Sequence, residues 1–249
     1  DGTIKNGVKL HDGLLVEAVL IPTETRTTAC VSSQVGCSLN CEFCATARLK
    51  RMRNLEVAEI VDQVALIDRQ SKEYIDRPLT NIVFMGMGEP MMNYKNVVEA
   101  IHKITKPEGL GMSPRRITVS TSGIPKMIKM LADEEIKVKL ALSLHSAIEH
   151  KRNDIMPFSE TFPLTDILDS LQYWYQKTGS PITFEYCVWK GINDGDDDIK
   201  ALIRYCRQVP SKVNLIQYNP IGEGKFDHRS ISAEEKYVRE LEKAGITIM

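Results

Sequence analysis

The chain holds 249 residues, 43% of them hydrophobic, which suffices for one sizeable core and is close to the length of a single α/β barrel. Its 32 basic and 33 acidic residues leave a net charge of −1, which excludes the strongly basic overall field of many nucleic-acid binders. No apolar run approaches the roughly 18 residues of a membrane span, and Asp1–Lys5 carries no apolar leader, so the expectation is a cytoplasmic protein with no membrane segment.

In chain order, Thr3–Ile21 alternates short β-like segments with turn residues, and residues 1–26 are predicted as an antiparallel extension. From Thr27 onward, apolar or β-branched runs alternate with amphipathic stretches. Strands are predicted near Thr27–Ser33, Asn81–Met85, Arg116–Ser120, Lys137–Ser143, Ile182–Val188 and Lys212–Tyr218. Helices are predicted near Val57–Gln70, Tyr94–Ile104, Pro125–Asp133, Leu164–Lys177, Asp197–Gln208 and Ala233–Ala244. Six strand-then-helix units imply an α/β fold with a parallel sheet. That sheet is either an open layer or a partly closed barrel. A polar or glycine-containing candidate site follows every predicted strand, which favours a partial (βα)6 TIM-like barrel over residues 27–249.

Charge is uneven along the chain. Arg48, Lys50, Arg51 and Arg53 form a basic run without an acid, while Asp194, Asp196, Asp197 and Asp198 read as a helix start or a solvated face. Four of the six cysteines fall between Cys30 and Cys44, a crowding that points to metal binding or catalysis. Cys187 and Cys206 read as buried small hydrophobes. Cys37, Cys41 and Cys44 make a CxxxCxxC arrangement just after the first barrel strand. Thiolates suit iron–sulfur clusters and zinc, and three of them leave one metal position open. Zinc would need Cys30 or a distant histidine as a fourth ligand.

CxxxCxxC with Phe43 before its last cysteine resembles the signature of the radical S-adenosylmethionine (SAM) superfamily, and Met85–Pro90 is similar to the superfamily's GGEP-type element. The resemblance implies a 4Fe-4S cluster on Cys37, Cys41 and Cys44 that cleaves SAM to a 5′-deoxyadenosyl radical. Over Cys30–Cys37, Phe84–Pro90, Ser120–Gly123, Ser143–His145 and Asn214–Pro220 the chain resembles the RlmN/Cfr adenine methyltransferases. That family would place SAM contacts on Gly88, Glu89, Ser120, Ser143, Leu144, His145 and Asn219. It implies a methyl-carrying cysteine near the carboxyl end, a resolving cysteine at Cys30 that closes a disulfide with it, and a proton acceptor at Glu17.

The same resemblance implies large-subunit (23S) ribosomal RNA and transfer RNA as substrates, adenine C2 as the target, a reductant such as flavodoxin, and a monomer. Cfr-type methylation at C8 ranks lower because Pro90 follows Glu89 where Cfr carries alanine, and a zinc-bearing RNA-binding module ranks lower still. The basic run after the cysteine loop is placed to hold an RNA backbone, while Arg115 and Arg116, at a strand start, belong to the opposite end of the sheet. No cysteine follows Cys206, and the family's helical amino-terminal domain does not precede Asp1, so the expectation is a core fragment whose methyl-carrying cysteine lies beyond Met249. Thr46–Lys50 departs from the family by lacking the glycines usual there.

Overall fold

The computed structural model describes residues 2–222, 226 and 231–249. In chain order it contains β1 (Ile4–Lys9), β2 (Leu15–Pro22), β3 (Thr27–Cys30), β4 (Gln34–Val35), β5 (Arg53–Asn54), α1 (Val57–Ile75), β6 (Asn81–Phe84), α2 (Tyr94–Thr105), β7 (Ile117–Thr121), α3 (Pro125–Asp133), β8 (Lys139–Ser143), α4 (Glu149–Ile155), α5 (Leu164–Thr178), β9 (Ile182–Tyr186), α6 (Asp196–Cys206), β10 (Ser211–Leu215), α7 (Ile231–Lys243) and β11 (Thr247–Ile248). The backbone forms two compact units interleaved in sequence. The first comprises Asp1–Ser38, Arg48–Ser120 and Ile136–Lys139; the second comprises Leu39–Ala47, Thr121–Glu135 and Leu140–Met249. Residue 26, the expected domain boundary, falls inside the first unit.

In the first unit β1 and β2 form the expected antiparallel hairpin, and β2 pairs antiparallel with β3. From there the ladder turns parallel through β3, β6 and β7. Side chains of β2 alternate: Val16, Ala18 and Leu20 are buried, whereas Leu15 and Glu17 are exposed. Strand periodicity puts the first set on the face that α1 covers with Ile60, Val64 and Ile67, spaced at one helical stripe. Arg53 ties the hairpin turn to the start of α1, bonding Asp12 at 2.6 Å and both oxygens of Glu59 at 2.8 Å. Gln63, fully buried in α1, accepts from the Ser32 amide at 2.8 Å and donates to the Ser32 carbonyl at 3.2 Å, which satisfies both backbone groups where β3 leaves its ladder.

In the second unit β8, β9, β10 and β11 are parallel. Their register aligns Ser143, Glu185 and Asn214 in one row across three strands. Helices α3 and α5 pack on each other, and Trp174 of α5 is fully buried with its Nε1 donating to the Ser180 carbonyl at 3.1 Å. The acidic run does start a helix, but Asp198 is buried rather than solvated, because Lys151 donates to both of its oxygens at 2.8 Å.

All six expected barrel strands and all six expected helices are present. Several strands are shorter at their carboxyl ends than the sequence suggests, since Ser32–Ser33, Cys187–Val188 and Ile216–Tyr218 leave the ladder and turn toward loops. Helix α4 is an addition that periodicity does not show, because Arg152 occupies a place on its buried face where an apolar residue would be expected. Among the described residues no helix is long and apolar enough to cross a membrane. Replacing Gln63 by alanine should destabilise the protein by about 2–3 kcal/mol, since it orphans two buried backbone groups. Urea unfolding of the Gln63→Ala variant checks this, and a loss below about 0.5 kcal/mol would show that water or another group replaces the amide.

Candidate active site

After β6, residues 85–90 lie against the segment that leads into the cysteine loop. The Met87 carbonyl accepts from the amides of Ser33 at 2.8 Å and Gln34 at 3.1 Å, and the Met87 amide donates to Ser32 Oγ at 2.9 Å. Two glycines make this approach possible. A Cβ on Gly86 would stand 2.7 Å from Ser32 Oγ, and one on Gly88, whose φ is +95°, would stand 2.5 Å from the Gln34 Cβ. Gln34 then accepts from the Glu89 amide at 2.9 Å and donates to Asn54 at 2.8 Å. The Glu89 carboxylate is buried, and one of its oxygens accepts from the Met91 amide at 3.0 Å at the start of a short helical turn over Pro90–Asn93. Ser120 is buried near the carboxyl end of β7.

Glu17 and Cys30 occupy the face of the hairpin that α1 does not cover. Register sets Cys30 opposite Val19, with Glu17 one pleat along the same face and Lys5 opposite Val19 on the far strand. Lys5 Nζ stands 2.6 Å from Glu17 Oε1. Burial pushes the Cys30 thiol up to about 11; the Met85 amide opposes the shift, and the nearby negative charge of Glu17 adds to it. At neutral pH Cys30 is therefore a thiol.

Cys37 follows β4, whereas Cys41 and Cys44 sit on a pair of successive turns, with the Cys44 amide donating to the Cys41 carbonyl and the Ala47 amide to the Cys44 carbonyl. Among the described residues no three His, Cys, Asp or Glu side chains are gathered at metal-binding distance. The fit to an iron–sulfur cluster is therefore one of donor chemistry: three half-buried soft thiols within eight residues, the only other ionisable group between them being the exposed Glu42. None of the six cysteines is in a disulfide, so the expected pairing of Cys30 is not present; its expected partner is not in this sequence. Cys187 and Cys206 are buried.

Within the second unit the loop around Cys41 is held by an aromatic nest. Phe43 meets His145 edge-on at 4.6 Å and packs on Trp189 and Phe226, and Tyr218 donates to the Phe43 carbonyl at 3.4 Å. The Glu42 amide donates to the Ile155 carbonyl at 3.1 Å. His145 is buried and burial holds its imidazole down at about 3, so the ring is neutral, with Nδ1 accepting from the Cys187 amide at 3.2 Å. Its side chain belongs to the core. Its backbone, at φ 53°, is strained into the left-handed region and fixed by Asn193, which donates to the His145 carbonyl at 2.7 Å. Ser143 closes β8, Leu144 is buried directly after it, and Asn219 is exposed four residues beyond β10.

Glu185 and Arg152 are buried charged residues beside Ser143 that sequence reasoning missed. Glu185 shares the Ser143 row, accepts from Asn214 at 2.7 Å, and is pushed up to about 7 by burial. A single carboxylate inside the apolar run Ile182–Tyr186 was the available signal. Of the four cations expected to meet RNA, Arg48, Lys50 and Arg51 are exposed, but Arg53 is spent on Asp12 and Glu59, which corrects its assignment. Arg116 lies at the start of β7, as expected, and donates to the Thr80 carbonyl.

Two outcomes follow from these environments. Cys30, about two units above an ordinary thiol, should be alkylated by iodoacetamide at pH 8 about 100-fold more slowly than an exposed cysteine, and Glu17→Gln should speed it; peptide-resolved mass spectrometry reads both. Glu185 is raised when folded, so its ionisation costs stability as pH climbs from about 4.5 to about 7. Glu185→Gln should therefore gain about 2 kcal/mol relative to wild type between pH 5 and pH 8, and parallel pH–stability curves for the two proteins would contradict the shift.

A family model described as the radical SAM superfamily matches residues 31–206. Members of that superfamily use a 4Fe-4S cluster and SAM, which removes the zinc-module reading. A probable dual-specificity RNA methyltransferase RlmN of Flavobacterium psychrophilum is 67% identical over 99% of this chain and 71% of its own length. The dual-specificity RNA methyltransferase RlmN of Geotalea uraniireducens is 43% identical over the whole chain and 71% of its own length. Among solved structures, a radical SAM methyltransferase from Sphaerobacter thermophilus superposes with a TM-score of 0.96 at 38% identity, covering 99% of this chain and 72% of that one. The chain belongs to the radical SAM superfamily and, within it, to the RlmN family of SAM-dependent RNA methyltransferases.

Proposed function

We propose that this enzyme methylates C2 of adenine in 23S ribosomal RNA and in transfer RNA, with Cys30 and Glu17 as the groups that finish the reaction. The observation that carries the reading is their placement: a thiol and a carboxylate sharing the uncovered face of β2 and β3. Cys37, Cys41 and Cys44 would hold the cluster, which with SAM supplies a one-electron cleavage of a carbon–sulfur bond. SAM itself would be held by Gly88, Glu89, Ser120, Ser143, Asn219 and the backbone at Leu144 and His145, since the His145 ring is committed to the core.

Glu17 would accept the ring proton from C2 of the adenine bonded to the protein. Cys30 would attack the sulfur carrying the bridging carbon: the new bond is sulfur–sulfur, the carbon–sulfur bond breaks, and its electron pair stays with the carbon, which takes a proton to become the methyl group. Because Cys30 is a neutral thiol, its proton must leave as the sulfur attacks, and the released carbon, which needs one proton to become the methyl group, is where it would go. Lys5 orients the Glu17 carboxylate. Arg48, Lys50 and Arg51 would meet the RNA backbone. A flavodoxin-type electron donor and a monomeric, cytoplasmic enzyme complete the reading.

The test uses the enzyme extended by the carboxyl-terminal cysteine segment that the family mechanism requires, given SAM, reductant and labelled RNA. Mass spectrometry of nucleosides should show 2-methyladenosine; 8-methyladenosine would overturn the C2 assignment. Cys30→Ala should accumulate a protein–RNA adduct on a denaturing gel, with product formation falling at least about 100-fold. Normal turnover by that variant would remove Cys30 from the mechanism.

A further inference from the structure

Arg152 on α4 has no solvent exposure. Its Nη2 donates to the carbonyls of Ser122 at 2.6 Å and Ser143 at 3.3 Å, while Nε and Nη1 have no hydrogen-bond partner among the described residues. Among the described residues no carboxylate forms an ion pair with it: Glu149, one turn earlier, lends it negative charge but accepts from the Leu164 amide. A guanidinium does not lose its proton in a protein, so a buried one with two idle donor atoms implies that an anion belongs beside it.

The neighbouring chain shows where that anion would be. Ile155, one helical turn after Arg152, accepts from the Glu42 amide, and Cys41 and Phe43 pack against the cluster of side chains formed by Ile155, Met156, Cys187, Trp189 and Phe226. Burial disfavours the charged guanidinium, and the negative charges of Tyr205, Glu149 and, least, Cys41 oppose that. The cysteine loop is thus docked one turn from a buried cation with idle donors.

We propose that Arg152 is the counter-ion of the iron–sulfur cluster, its idle Nε and Nη1 donating to anionic sulfur beside Cys41. The proposal rests on the reading of Cys37, Cys41 and Cys44 as cluster ligands. A cuboidal cluster on three thiolates is net negative and gains a further negative charge on reduction, so a fixed buried cation favours the reduced form. Arg152 would thereby set how readily the cluster accepts the electron that begins each turnover. As a charge-balancing residue it acts through the cluster, and its second task is to bridge the Ser122 and Ser143 carbonyls.

The test is an anaerobic redox titration of reconstituted protein followed by the electron paramagnetic resonance of the reduced cluster, without SAM. Arg152→Met should keep iron and sulfide content but lower the reduced-to-oxidised ratio at a fixed potential by about tenfold, a shift of about 59 mV for one electron. Arg152→Lys should restore most of it. An unchanged ratio in Arg152→Met, or an equal shift in Arg152→Lys, would overturn the proposal in favour of a purely structural bridge. A shift that appears only once SAM is added would also overturn it, assigning the cation to the SAM carboxylate. Should Arg152→Met fail to fold, wild-type protein carrying 15N-labelled arginine decides. Pulsed resonance should show nitrogen coupling to the reduced cluster that Arg152→Lys lacks, and absence of coupling in wild type rejects the proposal. Wild-type protein that binds no iron and sulfide would instead defeat the cluster reading beneath it.

Discussion

The Met87 carbonyl, shared by the amides of Ser33 and Gln34, is the bond on which the first unit's site depends. It fastens the loop after β6 to the segment running from β3 toward the cysteines, so the two stretches that carry Glu89 and Cys37 have one shared backbone frame. Everything around it serves that contact. Gly86 and Gly88 remove the Cβ atoms that would push the strands' ends apart, Ser32 and Gln34 bond the amides on either side, and Gln63 reaches from α1 to hold Ser32 from beneath. Asn93 adds bonds to the Ser33 and Leu55 carbonyls, each at 2.8 Å. The motif Val31–Val35 is thus a binding surface for another loop before it is anything else. Its serines and glutamine are there because a strand that ends early leaves polar backbone to satisfy.

In the second unit aromatic packing takes the place of a hydrogen-bonded frame. Phe43, between two of the cysteines, is gripped by His145, Trp189 and Phe226, and this explains why the residue before the last cysteine is aromatic in this chain. A loop rich in polar backbone can be fixed by one large side chain in a pocket when its own hydrogen bonds are few. His145 is part of that pocket. Its low proton affinity follows from burial, and its left-handed backbone is held by the Asn193 bond to its carbonyl where β8 turns out of the sheet.

Strands and helices were legible because period-two and helical apolar patterns survive wherever one face is buried, and α3 was bounded to the residue by Pro125 and Asp133. Strand ends were less so. Ser32–Ser33 and Cys187–Val188 look extended enough to continue a ladder, but Ser32 bonds the Gln63 side chain, Ser33 the Met87 carbonyl and Cys187 the His145 and Asn193 side chains, which periodicity cannot reveal. Arg152 and Glu185 were hidden for a related reason: each is a charged residue on a buried face, and pattern reading scores such a residue as solvent-facing. Arg53 failed in the opposite sense. It looked like one of a run of RNA-facing cations, yet Asp12 and Glu59, distant and close in sequence, both converge on it.

A fourth thiol seven residues before the three proposed cluster ligands is a hazard, because thiolate is both the ligand and the nucleophile. The environment of Cys30 answers it. Burial and the charge of Glu17 both favour the protonated form, so at neutral pH the thiol is a weak competitor for metal and slow toward electrophiles. The same arrangement sets a condition on any role in resolving a covalent adduct: the proton has to leave at the moment the sulfur is needed. Glu17 is held by Lys5 on the open face of the hairpin, where an incoming base can reach it, and not inside the core. A substrate stacked on that face would strip water from Cys30 and from the Lys5–Glu17 contact together. In the resolving role proposed for Cys30, restraint and reactivity would both come from one strand pairing.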